Sequence, residues 1–173
     1  SFALVTDDGA VAERTEPAHP TAGRRVLECA HALLEASGTD VRDIDRIVVG
    51  VGPGGFTGLR IGIATALGLG QALGVEVIGA ASLEALAHEV AATAPARLIV
   101  PALDARRREV FTAIYRARAD GGRDTVRAPF AVSAPGLRDL LAEQVVDRPA
   151  IVVGDGAALV ADGLDGGIGQ MLA

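Results

Sequence analysis

The chain has 173 residues, half of them hydrophobic and only 3% aromatic, with a formal charge of −6. That length supplies a substantial aliphatic core in one domain or two small lobes, and the negative balance gives no global attraction to a nucleic-acid backbone. A single cysteine, Cys29, excludes an internal disulfide and fits a reducing compartment, while the absence of lysine removes Schiff-base and P-loop chemistry.

Phe2 to Val5, the turn Thr6-Asp7-Asp8-Gly9 and Ala10 to Thr15 predict a β-hairpin. From Ala22 to Ala36, Val26, Leu27, Ala30, Leu33 and Leu34 recur at helical spacing, and Gly38 closes the element. Ile47 to Val51 is an unbroken apolar run, which predicts a strand buried on both faces. A glycine-rich turn over 52–58 leads into a helix over 57–73, with Thr57 as N-cap and Gly74 as C-cap. Val75 to Ile78 is a short strand, Ser82 caps a helix through about 92, and 92–96 forms a crossover. Strands over 98–103, 110–117 and 125–132, a helix begun by Ser133, and a strand over 150–153 ending in Gly154-Asp155-Gly156 complete the predicted elements. Beyond Leu159 no pattern is evident. A hairpin followed by helix–strand alternation predicts a mixed sheet in a lobe over 1–94 and a smaller α/β lobe over 95–173. No run of about 20 apolar residues is free of interruption, and no signal peptide is visible, so the expected location is the cytoplasm.

The helix over 57–73 is nearly apolar all round, and Gly62, Ala66 and Gly70 form a line of small residues at four-residue spacing. Glycine inside a helix costs about 1 kcal/mol relative to alanine, so close approach of another backbone is expected in return. The turn before it fits neither a dinucleotide fingerprint, which would need glycine at Thr57, nor a lysine-bearing phosphate loop. Its glycines either approach a ligand or only allow a tight turn.

Gly52-Pro53-Gly54-Gly55-Phe56-Thr57-Gly58-Leu59-Arg60-Ile61-Gly62 resembles the signature of the TsaB (YeaZ-like) family of bacterial threonylcarbamoyladenosine biosynthesis, with Gly55 where that family commonly has serine. The stretches 79–87, 104–111 and 153–157 agree with it. The resemblance implies the actin-like ATPase (ribonuclease-H-like) fold, in which a further strand ending in Asp-Thr would precede Phe2. It implies a non-catalytic subunit that pairs with the catalytic TsaD subunit and works with the TsaE ATPase to form threonylcarbamoyladenosine at tRNA position 37. tRNA is then met only through the complex, and the isolated chain is expected to form a homodimer.

In that reading the helix over 57–73, through Leu59, Gly62, Ile63, Ala66, Leu67, Gly70 and Leu73, joins Leu27, Ala30 and Leu34 of the helix over 22–36 as half of a helical bundle across the interface. Gly62→Arg or Ala66→Arg is then expected to weaken pairing. Gly54, Gly55, Thr57, Gly154, Asp155 and Gly156 are the nucleotide-proximal positions that the fold implies. With no nucleotide cofactor of its own expected, the subunit would meet ATP or ADP at the shared interface.

Two other functions follow from other readings: an ATP-dependent small-molecule kinase or hydrolase of the same fold, and a peptidase. The second has no Gly-x-Ser-x-Gly elbow to support it. His19, His31 and His88 lie far apart and lack the His-x-x-x-His pair of TsaD, so structural or solvated roles are expected for them. Arg106, Arg107 and Arg108 either meet phosphates or an acidic surface, or form a solvated strand end beside Asp104 and Glu109; the sequence favours the solvated reading.

Overall fold

The computed structural model describes residues 1–7, 9, 11–15, 25–91, 97–144 and 150–161. These fall into two compact units, residues 1–50 with 56–79, and residues 51–55 with those from 80 onward.

In the first unit, strands β1 (Phe2–Val5) and β2 (Val11–Arg14) pair antiparallel with Val5 opposite Val11. Helix α1 (Val26–Ser37) packs on this hairpin through Cys29 and Leu33, and ends at Gly38, whose φ of 68° lets the Gly38 and Thr39 N–H groups return to the Glu35 and Leu34 carbonyls. The predicted start of α1 at Ala22 lies outside the described residues. A 3₁₀ turn, Val41–Asp43, is capped by the Asp40 carboxylate, which accepts from the Arg42 N–H.

Strand β3 (Arg46–Gly52) pairs with β4 (Glu76–Ala81) in a separate two-stranded sheet, and α2 (Phe56–Leu73) connects them. The helix begins one residue earlier than predicted, so Thr57 sits inside its first turn and is not the N-cap. Gly74, at φ 72°, closes it as expected, with the Val75 N–H donating to the Gly70 carbonyl. The expectation that β3 is buried on both faces is corrected here. Val49 faces α2, whereas Val48 is 63% exposed, because only one face of the ribbon carries a helix within this unit.

The second unit is built on a four-stranded sheet, ordered β7 (Arg123–Ser133), β6 (Glu109–Ala117), β5 (Leu98–Arg106), β8 (Ala150–Val153), with the last pair parallel. Alternation along the strands sends side chains to two buried layers. Ile99, Ala113, Tyr115, Ile151 and Val153 meet Leu83, Ala87, Val90 and Ala91 of α3 (Ser82–Ala91). Val100, Ile114 and Val152 meet Leu137 and Leu141 of α4 (Ala134–Gln144) and Val160 of α5 (Ala157–Ala161) on the opposite face. Ser133 caps α4 as predicted, its hydroxyl accepting from the Gly136 N–H. Helix α3, placed by the sequence reading in a lobe ending at 94, belongs with this second unit because its apolar stripe is buried on β5 and β6. Helix α5 was not predicted.

Candidate functional site

The Gly62, Ala66 and Gly70 line of α2 faces the chain's own sheet. Ala66 and Gly70 are buried. A Cβ on Gly62 would stand 3.9 Å from Val49 Cγ2, and one on Gly70 would collide with Val77 Cγ2 and lie 3.2 Å from the Val75 carbonyl oxygen. The close backbone approach expected of this line therefore occurs against β3 and β4 of the same unit. Gly62, Ala66 and Gly70 are corrected from partner-facing to sheet-facing. Leu59, Ile63 and Leu73, with Ala30 and Leu34 of α1, are half-buried, and Leu27 of α1 and Leu67 of α2 are each 56% exposed. Around Leu67 the outward strip of α2 carries Ala64, Gly68, Gln71 and Ala72. Leu67 thus stands one residue away from the Gly62, Ala66 and Gly70 line that sequence spacing picks out, on the exposed side of α2.

In the glycine turn, Gly52 has φ 100°, a conformation suited to glycine. Gly55 and Gly58 have open space where a Cβ would stand, so internal packing imposes no glycine there. Phe56, 66% exposed, lies beneath the Arg60 guanidinium at 3.9 Å from its ring centre.

At the carboxyl ends of β5 and β8 the residues Gly154, Asp155 and Gly156 fasten one strand to the other. Gly154 has φ 109°, and a Cβ there would lie 2.5 Å from the Ala102 carbonyl oxygen. The Gly156 N–H donates to that oxygen at 2.9 Å, the Ala157 N–H to the Gly154 carbonyl at 3.0 Å, and the Asp104 N–H to Asp155 Oδ1 at 3.0 Å. A phosphate loop needs free N–H groups aimed outward. The Gly156 and Ala157 N–H groups and one Asp155 carboxylate oxygen are thus engaged within the chain.

A family model described as TsaD: tRNA N6-adenosine threonylcarbamoyltransferase matches residues 9–146. The TsaB protein of Bacillus subtilis is 32% identical over 162 residues, covering 91% of this chain and 67% of that protein. The chain belongs to the TsaB (YeaZ-like) family. An uncharacterized protein of Mycobacterium tuberculosis is 49% identical over 84 residues, 49% of this chain, and the aligned part spans 37% of that relative's length. A crystal structure from Pseudomonas aeruginosa, described as similar to the peptidase YeaZ, superimposes with a TM-score of 0.77 at 25% identity, over 99% of this chain and 77% of that one. The mixed α/β architecture fits the actin-like, ribonuclease-H-like fold.

The TsaB signature over 52–62 accordingly forms the turn and the first two turns of α2, and the stretch 104–111 forms the tip of the β5–β6 hairpin. Arg106, Arg107 and Arg108 there have φ of 70°, 53° and 65°. Arg106 Nη1 lies 3.4 Å from Asp104 Oδ2. His31 is exposed beside Glu35 at 3.4 Å, and His19 lies outside the described residues. Among the described residues no three His, Cys, Asp or Glu side chains come together as a metal site. Nor is any described helix long and apolar enough to cross a membrane.

Sequence reasoning missed one cluster. Arg123 on β7 donates to Glu84 Oε2 at 3.2 Å and lies 3.5 Å from His88 Nδ1 of α3, with its guanidinium 5.6 Å from the ring centre of buried Tyr115. Burial, reinforced by the Glu84 carboxylate and opposed by Arg123, pushes the Tyr115 phenol above its usual range. Among the described residues its hydroxyl has no hydrogen-bond partner. The spacing of these residues along the chain carries no signal that would unite them.

Proposed function

We propose that this chain is a non-catalytic scaffold subunit that pairs with a TsaD threonylcarbamoyltransferase in forming threonylcarbamoyladenosine at tRNA position 37, in the cytoplasm, with TsaE as the accompanying ATPase. The name of the Bacillus subtilis relative supports the pathway. The observation that carries the scaffold role is the exposure of apolar side chains on α1 and α2, Leu27 and Leu67, the latter beside Ala64, Gly68 and Ala72. An apolar side chain left in water on a helix gains about 1.5–3 kcal/mol when a partner covers it. In isolation the same surface is expected to join two copies as a homodimer. This reading gives the subunit no nucleotide site of its own and leaves ATP or ADP to the surface shared with the partner.

The test is sedimentation of the full-length protein with its cognate transferase, with and without ATP, for wild type, Leu27→Arg and Leu67→Arg. A stable complex is expected for wild type and a large loss of affinity for each variant. These positions replace Ala66, where arginine would break the first unit from within. Full affinity in both variants, or nucleotide turnover by the isolated chain without any complex, overturns the scaffold reading.

A further inference from the structure

We propose that the tip of the β5–β6 hairpin, Arg106 to Arg108, is a contact for the phosphodiester backbone of RNA; this rests on the reading above that the chain serves a tRNA-modifying complex. Three consecutive non-glycine residues here hold left-handed φ values, 70°, 53° and 65°. A left-handed turn costs an ordinary residue roughly 1–2 kcal/mol, and glycine or asparagine fills it more cheaply. The tip instead places an arginine at every one of these positions. Successive side chains in such a turn leave the backbone in different directions.

The turn is fastened at both ends. The Arg106 N–H donates to Asp104 Oδ1 at 2.7 Å, and the Asp104 N–H in turn donates to Asp155 Oδ1 at 3.0 Å. On the other side the Ala134 N–H, at the start of α4, donates to the Arg108 carbonyl at 3.0 Å. A contact set in advance loses less entropy on binding. Arg106 shares charge with Asp104, whereas Arg107 and Arg108 are exposed and make no ion pair among the described residues. Glu109 offsets one charge, which sets the expected contribution at one to two phosphates.

Between RNA and an acidic protein surface the observations favour RNA. Interface cores of protein partners are mostly apolar, and residues 105–109, Ala-Arg-Arg-Arg-Glu, carry no apolar side chain larger than a methyl, so the tip offers charge without such a core. Phosphate contacts need only charge and the forked geometry of the guanidinium. In a chain of formal charge −6 a local contact of this kind positions RNA without drawing it over the whole surface.

The experiment measures binding of an unmodified tRNA transcript by the full-length protein assembled with its transferase, across salt concentration. It compares wild type, Arg107→Gln/Arg108→Gln, Arg107→Lys/Arg108→Lys, and Arg97→Gln/Arg116→Gln at the opposite end of the β5–β6 ladder. The glutamine pair at the tip should assemble normally, flatten the slope of log affinity against log salt by about 1 to 2, and weaken binding roughly 10- to 60-fold at about 0.1 M salt. The lysine pair should keep most of the slope, and the distant pair should change it little. An unchanged slope in the tip variant, an equal loss in the distant variant, or loss of polyglutamate binding with tRNA binding intact overturns the hairpin contact while leaving the scaffold role standing. A wild-type complex that neither binds nor modifies tRNA overturns the functional reading itself.

Discussion

The two units solve the same packing problem to different degrees. In the second, one sheet has helices on both faces, and Leu83, Ile99, Ile114, Leu137 and Leu141 are fully buried. In the first, the buried apolar residues among those described reduce to Cys29, Leu33 and Ala66. Val5, Val11, Val48 and Leu67 stay in water. The second unit carries a core of the kind that sustains a domain; the first holds its elements together but leaves apolar area uncovered among the described residues.

This contrast can be broken most sharply by truncation. Leu137→Ala in the second unit should cost about 2–5 kcal/mol, whereas Val48→Ala in the first should stay within about 0.5 kcal/mol, as read by denaturant unfolding. Similar values for the two would remove the distinction. Gly70→Ala probes the one tight seam of the first unit: the added methyl meets Val77, and a loss of about 1–3 kcal/mol is expected, with hydrogen exchange in β4 rising first.

Smaller effects refine the picture of the second unit. Tyr115→Phe removes a buried hydroxyl without a partner, so stability at neutral pH should stay level or rise by up to about 1 kcal/mol. The raised phenol pKa means that the native state holds its proton to higher pH than the unfolded chain does. Wild-type stability should therefore fall as pH rises above about 10, the unfolded value, and the phenylalanine variant should lack that loss. Tyr115 is the only tyrosine, so its ultraviolet absorbance titration reports this group directly. Least of all, Gly55→Ser should change stability by less than about 0.5 kcal/mol, because open space surrounds the position.

Most of the element order was legible because it rests on period and punctuation: Gly38 and Gly74 end helices, and Ser133 begins one. The orientation of α2 was not. A four-residue line of glycine and alanine permits close approach but does not say to what, and only the branched side chains of Val49 and Val77 beneath it decide. The internal bonding of the Gly154–Gly156 segment was hidden for a related reason. Its composition is that of a ligand loop, while the Gly156 N–H and the Asp155 carboxylate bond to β5 and the Ala157 N–H closes back on Gly154. At the hairpin tip, charge was visible in the sequence but conformation was hidden, since arginine is among the residues least expected in a left-handed turn.

The placement of Tyr115 also decides what light can see. The chain has no tryptophan, and its single tyrosine sits in the core of the second unit. Intrinsic fluorescence therefore follows the melting of that unit alone, and the first unit can unfold in the dark. Far-ultraviolet circular dichroism records the helices of both, so any gap between the two melting curves measures how far the units unfold as one.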